Sequence, residues 1–260
     1  MVPFRRVWSV TRRWRERITW AGRKLYTARP AIRIVAIAPI ALIGLTTINL
    51  LYQVLRKPTE MFAFVSGEFN KAPADTWRHY GSLFREYSTA AISPELLAAL
   101  AQVEGAGNPV ARTYWRWQLS WNPLAVYQPA SSGVGMFQMT DAALAEARRF
   151  CIRDHIVTEN GCRFSWLYTR VVPSHAIQLA AVYLDRNVAR ILAFHPKPNS
   201  KHKRELASAI HLCGVGAANA LAQRGFRFTP GERCGEHDVT TYLARVQAME
   251  REFLRLATNP

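Results

Sequence analysis

Hydrophobic positions follow two different patterns along this chain. Residues 34–55, IVAIAPIALIGLTTINLLYQVL, are a run without a single charge, bounded by Arg33 on one side and by Arg56 and Lys57 on the other. From Trp77 onward, apolar residues instead recur three and four positions apart with polar residues between them, the spacing of helices with one buried face. SPELLAALAQVEG opens with Ser93 in the N-cap position and Pro94 at the first helical position, and Gly105 ends it. MTDAALAEARRF starts at a Thr140 or Asp141 cap, and SHAIQLAAVYLDRNVARILAF offers Ser174 as one. KRELASAIHLCGVGAANALAQRG and DVTTYLARVQAMEREFLRLA complete the set, and FHPKPNSKHK (194–203) reads as a basic, Pro-rich loop. Residues 56–76 mix charge, Pro and Gly without a period and read as a linker. Strand-like alternation is nearly absent and there is no internal repeat. The expectation is therefore a mainly α domain over residues 77–260.

The uncharged run has the length to cross a bilayer. As a helix, its 22 residues would reach about 33 Å, against a hydrocarbon core of about 30 Å. A cleaved signal peptide and a buried core helix are the competing readings. A signal peptide has a short n-region and a small-residue cleavage site close behind its apolar stretch; here the leader is long and the nearest Ala-x-Ala, Ala72-Pro73-Ala74, lies far downstream. Residues 1–33 carry ten basic side chains and the single acid Glu16, a net charge of +9 out of +16 for the whole chain. Positive flanks stay in the cytoplasm. That gives a basic cytoplasmic tail (1–33), an uncleaved signal anchor (34–55) and an exported remainder. The same arginines would suit nucleic-acid binding, but topology already accounts for them, and no nucleic-acid partner is expected.

Four cysteines, Cys151, Cys162, Cys213 and Cys234, suit an oxidising compartment. Of the three possible pairings, the two short loops, Cys151–Cys162 and Cys213–Cys234, are expected. Free buried thiols remain an alternative, as does a zinc site from His211, Cys213, Cys234 and His237, although neither CxxC nor HExxH spacing is present. No metal or cofactor is expected.

The candidate chemistry centres on Glu104. It shares a stripe with Leu97 and Leu100, at i, i+3 and i+7, and stands at the negative end of its helix dipole. Partial burial and the dipole both push a carboxyl pKa upward, which suits a general acid. A glutamate tilted to solvent or paired with an arginine would look the same in sequence. Next comes an aromatic block containing Tyr114, Trp115, Trp117, Trp121 and Tyr127, in which rings could stack on sugar faces or simply pack a core. Then SSGVGMFQMTDAALAEA places a glycine turn and Gln138, both donor and acceptor, ahead of a helix.

Glu104 at a helix end, NPLAV (122–126), GMFQM (135–139) and the helix beginning TDAALAEA together resemble the SLT-type lytic transglycosylase family, which is lysozyme-like. AIQLAAVYLDR resembles the family's NIxxGxxYLxxL helix, and TYLARV its terminal YVxxV segment, with Tyr242 where the family has a tyrosine near the acid. The resemblance covers about residues 77–250. The chain departs from the pattern at Gly105, where the family has serine, and at IHLCG (210–214) in place of AYNAG. A second Asn-Pro occurs at 108–109; taking Asn122-Pro123 as the family's makes residues 106–120 an insertion.

The resemblance implies a lysozyme-like helical domain behind the anchor, in the periplasm at a bacterial inner membrane. It implies cleavage of the MurNAc-β-1,4-GlcNAc bond of peptidoglycan with 1,6-anhydro-MurNAc ends. Glu104 would be the single acid/base, with substrate contacts at Tyr127, Ser132, Gly135, Met136, Phe137, Gln138, Tyr183, His211 and Tyr242. The partner would be the glycan strand; protein partners are not legible. A hydrolytic muramidase would need a second carboxyl about 5–9.5 Å away, and the acid near Gln138 is Asp141, which a helix cap also explains. A non-catalytic wall-binding or scaffold protein on the same fold is the rival from another class, favoured by the altered IHLCG segment.

Overall fold

The computed structural model describes residues 19–20, 23–63, 65–194 and 199–258. Most of the basic tail, and residues 195–198 of the Pro-rich loop, lie outside these. The chain divides into two compact units, one comprising residues up to Arg56 with Trp117–Gln128 and the other Lys57–Arg116 with the chain from Pro129 on.

In the first unit, helix α1 (Pro30–Arg56) contains the uncharged run and is long and apolar enough to cross a membrane. Nearly all its side chains are exposed, and its buried residues are the two amides Asn49 and Gln53. They stand four apart, on one face. The Asn49 Nδ2 donates to the Pro123 carbonyl (3.3 Å) and Gln53 Nε2 to that of Leu124 (2.7 Å), tying loop 117–128 to the helix.

The second unit is mainly helical. Helices α2 (Pro73–Glu86), α3 (Pro94–Gly105), α4 (Asp141–Ala147), α5 (Pro173–Leu192), α6 (Ser200–Gln223) and α7 (Val239–Thr258) build it, with short two-stranded sheets between them. Strands β1 (Trp115–Trp117) and β2 (Tyr127–Pro129) pair at the base of the loop. β3 (Cys151–Arg153) and β4 (Ile156–Thr158) pair antiparallel with Ile152 opposite Val157, and β5 (Arg233–Cys234) and β6 (His237–Asp238) with Cys234 opposite His237.

Helix α3 is the centre of the core. Residues Leu96–Ala101 are fully buried, so the middle of this helix is apolar on every side, as a stretch packed all round must be. Ser93 caps it, its side chain accepting from Leu96 N, and Pro94 takes the first helical position. Around it the core collects Phe84, Ile177, Leu184, Leu206, Ile210 and Phe253, and Trp77 stacks on Phe84 with ring centroids 6.3 Å apart.

Three boundaries differ from expectation. α2 begins at Pro73, since Pro73 itself fits the first helical position. α5 begins at Pro173 for the same reason, so Ser174 is inside the helix and caps nothing. Residues 57–69 contain two 3-10 turns, Pro58–Phe62 and Ser66–Phe69, where a linker was expected. The first of them carries a buried carboxylate: Glu60, 4% exposed, receives Arg112 Nη1 at 2.8 Å and Trp115 Nε1 at 2.7 Å, with Lys57 Nζ 3.4 Å away. Two donors on Oε2 and the nearby Lys57 charge offset a burial that would otherwise be costly, although Oε1 accepts no hydrogen bond.

Both expected disulfides are present, Cys151–Cys162 and Cys213–Cys234. They rule out the thiol and zinc alternatives for these cysteines.

Candidate active site

Glu104 stands in the last turn of α3, and close packing fixes the identity of its neighbour. A Cβ on Gly105 would lie 2.8 Å from the Cα and carbonyl oxygen of Met136. Only glycine lets the helix end press on the 135–139 turn, which gives a physical reason for the departure from serine. Ala106 then takes the left-handed conformation that closes the helix, its N–H bonding the Ala101 and Gln102 carbonyls.

Two other helices deliver partners to the Glu104 carboxylate. From α7, the Tyr242 hydroxyl donates to Glu104 Oε1 at 2.5 Å. From α6, His211 Nε2 lies 3.6 Å from the same oxygen, an ion-pair separation just beyond hydrogen-bond length. The α6 path breaks three residues later at Gly214 (φ 80°, ψ 173°), a backbone state natural only to glycine. The Cys213–Cys234 bridge anchors the chain beside that break.

The electrostatics correct the sequence expectation. Burial does push the Glu104 carboxyl upward, but the charge of His211, the hydroxyl of Tyr242 and the charge of His237 together outweigh it, and the pKa lies below the usual carboxylate value. The expected sign was wrong because α6 and α7, remote in sequence, bring in favourable partners that a reading of α3 alone does not contain. Burial beside that carboxylate holds the Tyr242 phenol well above its ordinary pKa, so it stays a proton donor.

His211 also lines a cavity of ≈ 180 Å³, together with Gln138, Met139, Ala143, Tyr183 and Gly214. Gln138 enters it from a left-handed turn position (φ 45°). That conformation costs on the order of 1 kcal/mol in a non-glycine residue and is met most often at functional sites. Its amide nitrogen donates to Gly135 O at 2.9 Å, while its buried Oε1 has no hydrogen-bond partner.

The remaining expected residues divide. Tyr183 lines the cavity. Ser132 Oγ accepts from Asp141 N at 3.2 Å. Met136 and Phe137 are 0% and 1% exposed; their side chains are core, and as substrate contacts they are corrected, because the turn needs apolar weight beneath it. Gly135 is buried in the same turn and accepts from Gln138. Tyr127 belongs with the unit of α1 and stacks on Trp117 at 4.5 Å. Asp141 pairs with Arg170 Nη2 at 2.8 Å, while Thr140 caps α4 through Ala143 N. Arg170 is a residue the sequence reading missed: it also donates to the carbonyls of Ser132 (2.9 Å) and Met139 (2.7 Å), clamping the glycine turn from across the fold. An arginine among 34 Lys and Arg residues gives no local signal of such a task. Of the two Asn-Pro pairs, Asn108 is the buried one, its amide donating to Ser66 O (2.6 Å) and Asn70 Oδ1 (2.9 Å), whereas Asn122 caps an exposed turn. Among the described residues no cluster of three His, Cys, Asp or Glu side chains is arranged to hold a metal. No protein-family model, no curated protein and no solved structure matches the chain.

Proposed function

We propose that this chain is a membrane-anchored lytic transglycosylase, acting on peptidoglycan in the periplasm with Glu104 as its acid/base. The observation that carries the reading is the largely enclosed carboxyl of Glu104, fixed by Tyr242 at 2.5 Å and by His211, which with Gln138 and Tyr183 lines the neighbouring cavity. In the first step Glu104 gives its proton to the glycosidic oxygen as the bond to the muramoyl anomeric carbon breaks. In the second, the carboxylate takes the proton of the muramoyl 6-hydroxyl, whose oxygen bonds to that carbon, closing the 1,6-anhydro ring without consuming water. One carboxyl thus serves both steps, and Asp141, already engaged by Arg170, is not needed as a second.

A carboxyl held below the usual pKa is well suited to the second step and poorly to the first. Its protonated fraction falls tenfold for each pH unit above its pKa, so cleavage should strengthen toward acid. The same observation favours the second reading, a wall-binding protein on this fold that does not cleave. Product analysis separates them. Mass spectra of peptidoglycan incubated with the full chain at mildly acidic pH should contain anhydro-muropeptides; reducing ends would mean a hydrolase, and binding without release would establish the non-catalytic role.

A further inference from the structure

Loop 117–128, WQLSWNPLAVYQ, carries no charge and sets Leu119 and Trp121 wholly in the open, at 103% and 105% exposure, with Trp117 at 74%. Large apolar side chains grouped in this way are a surface awaiting a partner. Sugar-stacking is the expectation from sequence, but the loop's attachment argues for a different occupant. It is held to α1 by Asn49 and Gln53, seven and three residues before Arg56, which corresponds to about 10 Å and 4.5 Å along the helix. Both attachment points therefore lie inside the uncharged run, not beyond its end. In lipid an amide N–H needs a partner, and the Pro123 and Leu124 carbonyls accept from the Asn49 and Gln53 amide nitrogens. The two amide side chains of the run are thus covered by the loop, while the loop's own Trp117, Leu119 and Trp121 remain exposed. Trp at an interfacial depth is the anchoring position that a bilayer favours.

We propose that residues 117–128 form a wedge inserted into the lipid leaflet at the Arg56 end of α1, with Leu119 and Trp121 in contact with acyl chains and headgroups. This rests on α1 being a membrane anchor. The wedge fixes the emergence of the chain at the membrane by two segments, α1 and the loop, rather than by α1 alone.

The test uses the full chain in vesicles of phosphatidylethanolamine and phosphatidylglycerol, with the native disulfides intact. Single bimane labels are attached through Leu119→Cys or Trp121→Cys, and through Gly44→Cys, which opens onto free space in the middle of α1. The labels at 119 and 121 should lose most of their emission to shallow nitroxide lipids and little to aqueous iodide, while that at 44 answers to deep nitroxides. Lipid quenching at 44 with iodide quenching at 119 and 121 overturns the wedge and leaves the anchor standing. Iodide quenching at all three overturns both. Protection of 119 and 121 by added chitooligosaccharide, with no response to lipid nitroxides, assigns the loop to sugar and also overturns the wedge.

Discussion

At the scale of single residues, the behaviour of Glu104 turns on His211. Where the resembled family has tyrosine, this chain places an imidazole 3.6 Å from the acid, and its charge helps to lower the carboxyl pKa against the opposing pull of burial. His211→Asn removes that charge and leaves burial opposed only by Tyr242 and His237, so the acidic limb of the proposed cleavage should move to higher pH; pH profiles of muropeptide release for both proteins check this, and superimposable limbs would contradict it. The lowered pKa also has a sign in stability. The ionised carboxylate is favoured by the fold, so its contribution is present above the unfolded-state pKa and lost as pH falls through the lower folded-state value. Thermal melts should show wild type losing stability relative to Glu104→Gln across that interval. Glu104 itself was legible as a carboxyl at the end of an apolar helix; its electrostatic setting was not, because 107 and 138 residues of chain separate it from His211 and Tyr242.

At the scale of elements, capping signals read well and long-range charge pairing did not. Ser93 does what its position next to Pro94 announces, and Ser93→Ala should lower stability by about 1 kcal/mol, measured by urea denaturation of the full chain. The stretch from Lys57 to Phe69 is the instructive failure. Its composition is that of a linker, yet Glu60 is buried with Arg112, Trp115 and Lys57 around it. Nothing within a few residues of Glu60 foretells those partners, apart from Lys57. Breaking such a buried pair is worth about 3–5 kcal/mol, so Glu60→Ala should destabilise far more than Ser93→Ala; equal effects would show that this segment is only loosely attached. Gly105 belongs to the same scale: read from sequence it is a helix stop, and in the fold it is also the contact surface that admits the Met136 backbone.

At the scale of the whole molecule, the division into an apolar N-terminal helix and a mainly helical remainder was readable from periodicity and charge, and the cysteine pairing from loop length. The position of loop 117–128 was not, since its aromatic residues serve a sugar cleft, a core or a membrane equally well on composition. Each disulfide closes a short loop, over 11 and 21 residues, and its loss should cost about 2–4 kcal/mol. Removal of Cys213–Cys234 should in addition impair cleavage more than removal of Cys151–Cys162, because it releases the chain beside Gly214 and close to His211, both of which line the cavity. The central claim concerns proton transfer by one carboxyl. Its most direct test is the rate of anhydro-muropeptide release by Glu104→Gln beside wild type, both reconstituted in membrane and matched by melting temperature. Loss of general acid–base help alone is worth about 10²–10⁴-fold; a fall of that size with the fold and wall binding retained is the expected result, and release at the wild-type rate would contradict the account.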